Sequence, residues 1–137
     1  RRSSDLDLKT GMSNYIREQL ARGRQSEMAV AVENGTFRSK RMKKALEAGD
    51  VVAMEAVDRA CHYLAVATGN LINTFSPDLV VYGGGMIEAC GDLFLGKILT
   101  ELDRYCWPTI RDSVDVKIAA LGDDSVLYGD LAMIEEG

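Results

Sequence analysis

The chain has 137 residues, the length of one ordinary domain. It is 47% hydrophobic, which is enough for a buried core, and its net charge of −5 argues against a nucleic-acid surface as its main business. No apolar run approaches the ~20 residues of a membrane span, and the start Arg1-Arg2-Ser3-Ser4-Asp5 lacks the apolar centre of a signal peptide.

Without an initiator Met, the chain is expected to begin inside a longer protein. Three cysteines, Cys61, Cys90 and Cys106, are widely spaced and form no CxxC pair. That usage predicts reduced thiols in a cytoplasmic protein rather than a disulfide frame or a zinc site.

Taken in order, the first helix is expected from about Thr10 to Gly23. Met12, Ile16 and Leu20 fall four apart, Tyr15 joins their face, and Gly23 suits the end. Ala29 to Val32 is a short apolar stretch, and Glu33-Asn34-Gly35 reads as a turn. The next helix spans about Ser39 to Ala48, with Gly49 at its end. It carries Arg38, Lys40, Arg41, Lys43 and Lys44. In an acidic chain with few aromatics nearby, a solvated face is preferred to a phosphate or nucleic-acid patch.

Asp50 is placed to cap the longest helix, which extends to Phe75. Ala53, Val57, Ala60, Cys61, Leu64, Thr68, Leu71, Ile72 and Phe75 step by threes and fours and form its core stripe. Glu55, Asp58, Arg59 and His62 lie mainly on the other side, so the single histidine reads as a surface or ion-paired residue rather than a catalytic one. Gly69 interrupts this helix without ending it, which suggests close approach by another backbone, such as the glycine turn that follows. Asn70 and Asn73 either bond loop backbone beside the next strand or are ordinary boundary residues. Cys61 is read as a small apolar filler.

Pro77 and Asp78 stop the helix. Leu79-Val80-Val81-Tyr82 is then a continuous apolar run, the pattern of a strand buried on both faces. Gly83-Gly84-Gly85 follows, and a helix after it. Strand, glycine turn and helix make a common nucleotide setting, because a glycine backbone can come into contact with a ligand. A tight turn needing positive φ is the equally simple alternative. The run is not GxGxxG, and no GxxxxGK[ST] occurs.

Met86 to Gly91 reads as a loop, and Asp92 as the cap of a helix to about Cys106, buried through Leu95, Ile98, Leu99, Leu102 and Cys106. Trp107-Pro108 breaks it. Val114 to Ala119 alternates and predicts a second strand, parallel to the first with a right-handed crossover. Gly122-Asp123-Asp124 leads into a last helix with Leu127, Leu131 and Ile134 inward. Capping is the preferred role for Asp123 and Asp124, over metal or general-base work.

Three stretches, in order, resemble the ROK family of repressors, open reading frames and sugar kinases. They are Gly49-Asp50-Val51-Val52-Ala53, then Asn70-Leu71-Ile72-Asn73 running through Pro77 to Gly83-Gly84-Gly85, then Ala120-Leu121-Gly122-Asp123-Asp124 with Gly129. The resemblance runs from about Gly49 to the end and is loose before it. It implies an α/β fold: the C-terminal part of an actin-like ATPase (ribonuclease-H-like) lobe, helix-rich, with about two parallel strands and about five helices. Residues 1–48 would be a helical segment and residues 49–137 the nucleotide-binding subdomain.

In the family the glycine turn is the adenosine motif. The resemblance therefore implies that Gly83, Gly84, Gly85 and Met86 bind the cofactor ATP, with Mg²⁺ present in the full-length protein and a hexose as the other substrate. The family's D-x-G-x-T turn, its catalytic Asp, its second phosphate-binding glycine turn, its E-x-G-H segment and its C-x-C-G-x-x-G-C zinc loop have no match here. Hence no catalytic and no metal residue is assigned, and the chain alone is expected to be inactive. Ser125 and Asp130 stand where the last family motif usually has small residues. The alternative function is the sugar-sensing and dimerisation lobe of a ROK repressor, the only reading that would bring in nucleic acid. Two short strands leave much apolar surface to cover, so a homodimer or homotetramer is expected.

Overall fold

A computed structural model describes residues 2–118. In chain order these form α1 (Arg2–Ala21), α2 (Ala29–Asn34), α3 (Ser39–Glu47), α4 (Val51–Phe75), β1 (Leu79–Tyr82), α5 (Gly85–Tyr105), α6 (Pro108–Arg111) and β2 (Asp115–Ile118). The expected helix after Gly122, with Asp123, Asp124, Ser125 and Asp130, lies outside the described residues.

Helix α4 runs through the centre, as its long stripe predicts. Asp50 caps it by accepting from Ala53 N at 3.0 Å. The other oxygen of the same carboxylate accepts from Ser26 Oγ at 2.7 Å and Glu27 N at 2.6 Å, so the cap also ties down the chain entering α2. Ala53, Val57, Ala60, Cys61, Thr68 and Ile72 are buried as expected, and Ala56 and Ala65 join them. Leu64 and Leu71 are only half-buried, and Phe75 is 73% exposed. Phe75 leaves the core because α4 continues past the point where its partner α5 ends. Burial pushes the Cys61 thiol up to about 12, which suits an inert filler. All three cysteines are free and buried.

Two helices differ from expectation at their starts. Helix α1 begins well before Thr10, because Leu8 lies one turn ahead of Met12 and extends the stripe onto the core. Helix α5 begins at Gly85, not Asp92: the stretch expected to be a loop is its first turn and a half, with a kink at Cys90 (φ −120°, ψ 25°). Gly91 sits beside that kink because Ile118 of β2 passes over it; a methyl group there would lie 3.2 Å from Ile118 Cδ1. Phe94 is the largest buried residue of α5 and was not in the expected face, whereas Leu95 and Leu99 are half-buried. Glu33 and Asn34 are helical in α2, and Gly35, at φ 70°, ends it.

The strands pair in parallel, Leu79 with Asp115 through Tyr82 with Ile118. Expectation and structure differ in burial. Val80 and Tyr82 are buried, but Leu79 and Val81 are half-open, so β1 packs on one face only among the described residues. Tyr82 reaches α4, where its hydroxyl meets Thr68 Oγ1 at 2.7 Å.

The polar side of α4 binds its neighbours. Arg24 Nη1 and Nη2 donate to Glu55 Oε1 and Oε2 at 2.7 and 3.0 Å, and Tyr15 OH donates to Glu55 Oε1 at 2.6 Å. Arg59 lies 4.7 Å over the Tyr15 ring. Lys97 meets Asp58 at 2.6 Å, and His62 Nδ1 lies 3.2 Å from Glu101 on a half-exposed side chain, in keeping with the expected surface or ion-paired residue.

Gly69 does mark a close approach, but by α5 and not by the glycine turn. A methyl group on Gly69 would lie 2.8 Å from Tyr105 Cβ. Asn73 Nδ2 donates to Tyr105 O at 2.8 Å one turn later, while Asn70 is exposed.

Gly69→Ala should therefore destabilise the fold. Overpacking costs ~1–3 kcal/mol and the better helix propensity of Ala returns up to ~1, leaving a net loss of up to about 2 kcal/mol in urea denaturation. Unchanged or raised stability would show that the seam can relax. The hydrogen bonds from Arg24, and then Tyr15, hold the Glu55 carboxyl at about 2 instead of 4.5. A depressed folded pKa gives stability that is whole above pH 4.5 and is lost as pH falls toward 2. Melting curves of wild type and Glu55→Gln should accordingly differ most at neutral pH and converge on acidification. A constant gap would contradict the linkage.

Candidate functional site

The candidate site is the joint between β1 and α5, and its three glycines do different work. Gly83 continues from the strand and is buried. Gly84 is the N-cap of α5 at φ 111°, ψ 162°, a region essentially confined to glycine. Gly85 opens the helix, and a methyl group there would lie 3.4 Å from Ser39 Oγ, so the start of α3 stands against the start of α5. The positive φ of Gly84 bears out the reading of the run as a turn that needs glycine.

Met86, the fourth candidate residue, has its side chain fully buried. What it can offer a ligand is its backbone N–H. The N-cap supplies no side-chain acceptor to α5, so the N–H groups of its first turn are left for a ligand or solvent. Glu88 in the same turn opposes this positive end.

A groove of about 910 Å³ begins at Glu88, one turn beyond the glycines, and does not include them. Leu46, Met54, Ala89 and Leu93 line it, and Lys43, Lys117, Glu47 and Asp92 add charges of both signs. Its volume lies within the range of small-molecule sites. The glycine turn is the stronger candidate because its positive-φ residue, Gly84, stands where a strand delivers a helix start without a side-chain cap.

The remaining sequence candidates do not converge here. His62 is half-exposed on the α4–α5 seam. Arg38, Lys40, Arg41, Lys43 and Lys44 are all exposed on α3, whose Met42 and Ala45 are buried; this is the expected solvated face. Among the described residues no group of three or more His, Cys, Asp or Glu side chains could hold a metal ion, and no helix is long and apolar enough to cross a membrane. Sequence reading missed Ser39. A serine at a helix start reads as a cap, and nothing local reveals that it meets a glycine more than forty residues later.

Gly84→Ala should cost about 1–3 kcal/mol of stability from backbone strain alone. Thermal denaturation would register this as a lowered midpoint, and an unchanged midpoint would mean that the turn tolerates a side chain.

A protein-family model described as "ROK family" matches residues 16–136. A glucokinase of Halalkalibacterium halodurans is 31% identical over 88% of this chain and 36% of its own length. A glucokinase of Thermotoga maritima is 29% identical over 72% of this chain and 31% of its own length. The chain therefore spans about a third of these relatives. The solved structure of a ROK family transcriptional regulator, a homologue of the E. coli MLC protein, superposes on 80% of this chain and 27% of its own, with a TM-score of 0.68 at 17% identity. The architecture is the helix-rich α/β arrangement of actin-like ATPases, here with two parallel strands.

Proposed function

We propose that this chain, which belongs to the ROK family, is the C-terminal portion of an ATP-dependent hexose kinase of glucokinase type and supplies the adenosine-binding wall of its ATP cleft. One observation carries the reading. Gly84 holds a conformation that other residues rarely adopt, at the point where β1 delivers an uncapped helix start. It does so in a chain similar to glucokinases over most of its length. Glycine takes this conformation without strain, and with no Cβ it lets the backbone itself meet a ligand.

In this reading Gly83, Gly84 and Gly85 lie against the nucleoside, and the backbone of Met86 belongs to the helix start beside it. Bound ATP would supply the phosphoryl group. Mg²⁺ would come with the phosphates and be held elsewhere in the full-length protein, as would the base that deprotonates the sugar hydroxyl. The residues of this chain bind and orient; they move no proton. Residues 49–137 make up the nucleotide-binding subdomain, and residues 1–48 are a helical segment packed on it. The whole protein is cytoplasmic and a homodimer or homotetramer.

The likeness to a ROK transcriptional regulator favours one second reading, the sugar-sensing lobe of a repressor. The two separate on the sequence upstream of Arg1: D-x-G-x-T belongs to a kinase, a helix-turn-helix to a repressor.

The test is a pair of calorimetric titrations on the full-length protein. Gly84→Ala should weaken ATP binding roughly tenfold or more, equivalent to about 1.4 kcal/mol, and leave hexose affinity within a factor of about two. Equal loss for both ligands would reduce the turn to a structural element.

A further inference from the structure

The glycine turn is met by a side chain from outside its own strand and helix. Ser39 opens α3, and its Oγ stands 3.4 Å from the point where a Gly85 side chain would begin. Its hydroxyl is not spent on capping. The N-cap of α3 is Arg38, in extended backbone and without a side-chain cap bond. Among the described residues Ser39 Oγ has no hydrogen-bond partner, whereas the Ser26 hydroxyl serves Asp50 and that of Thr68 serves Tyr82.

The position is also fixed. Met42 and Ala45 bury α3 one and two turns on, and Met42 N bonds Arg38 O at 3.1 Å. A half-buried hydroxyl on a packed helix is thus held beside backbone that has no side chains of its own to offer. A hydroxyl both donates and accepts, so it can pair with either kind of polar atom on a nucleoside edge. Glycine backbone gives contact but discriminates poorly; a directed hydroxyl adds the discrimination.

We propose that Ser39 is a specificity-determining residue of the nucleotide site, its hydroxyl hydrogen-bonding the nucleoside that lies against Gly83, Gly84 and Gly85. The inference rests on the adenosine-binding reading of that turn. It assigns α3 as the facing wall of the site, a role the sequence of α3 does not suggest.

The experiment titrates the full-length protein with ATP, with inorganic triphosphate as a probe lacking the nucleoside, and with glucose. Ser39→Ala removes the hydroxyl with little change of volume. It should raise the Kd for ATP roughly two- to tenfold, the worth of one hydrogen bond, and leave triphosphate affinity, glucose affinity and Tm unchanged. Unchanged ATP affinity in Ser39→Ala, in a protein whose ATP binding is still selectively weakened by Gly84→Ala, would overturn this inference and leave the turn as the adenosine site. Equal weakening of ATP and triphosphate would overturn it as well, by moving the hydroxyl to the phosphates. Failure of the wild type to bind ATP would remove the reading of the turn, and this inference with it.

Discussion

The seam between α4 and α5 is the constraint on which the other elements depend. The two helices touch backbone-close where Gly69 meets Tyr105, and Asn73 secures the same place by bonding the Tyr105 carbonyl. That carbonyl belongs to the last turn of α5 and would otherwise lack an intrahelical partner. Along the seam Cys61, Ala65 and Ile72 lie opposite a face that carries Phe94, Ile98 and Leu102, all buried. Burying each large side chain is worth ~1.5–3 kcal/mol, so this face dominates the fold energetically. Its geometry also decides the sheet. Each strand follows one of the paired helices, β1 after α4 and β2 after α5 and α6. Closing the seam brings their starts together, and the ladder begins with Asp115 N on Asp78 O at 2.9 Å.

Polar contacts then set orientation around α4. Asp50 is the most economical of them, because one carboxylate caps α4 and holds the entry to α2. Losing such a cap costs ~0.5–2 kcal/mol. The Tyr15–Glu55–Arg24 group fixes α1 and its following loop on the same helix, while Asp58 and His62 reach across to Lys97 and Glu101 on α5. These pairs are partly exposed, so they choose between packings more than they hold the chain folded.

This scaffold also fixes the backbone of the glycine turn. The turn sits at the carboxyl end of β1, where open α/β sheets bind ligands. Its backbone is pinned on one side by a buried strand residue and on the other by a helix whose first side chain, Met86, is locked in the core.

Much of this was legible locally. Asp50 as a cap, the ends at Gly23, Gly49 and Phe75 and the strand Leu79–Tyr82 all follow from short-range chemistry and period. The ordered motifs carried the family. What the sequence could not decide was anything resting on partners distant along the chain. Gly91-Asp92 looks like a helix start, yet Gly91 is there for Ile118 of β2, and α5 runs through it with a kink. Gly69 announced a close approach but not that Tyr105 makes it. Phe75 continues the apolar period and still faces out, because period records a helix face and not how far its neighbour extends. Ser39 beside Gly85 is of the same kind. Their meeting is set by how α3 packs on α5, and a contact between residues so far apart leaves no local pattern in the chain.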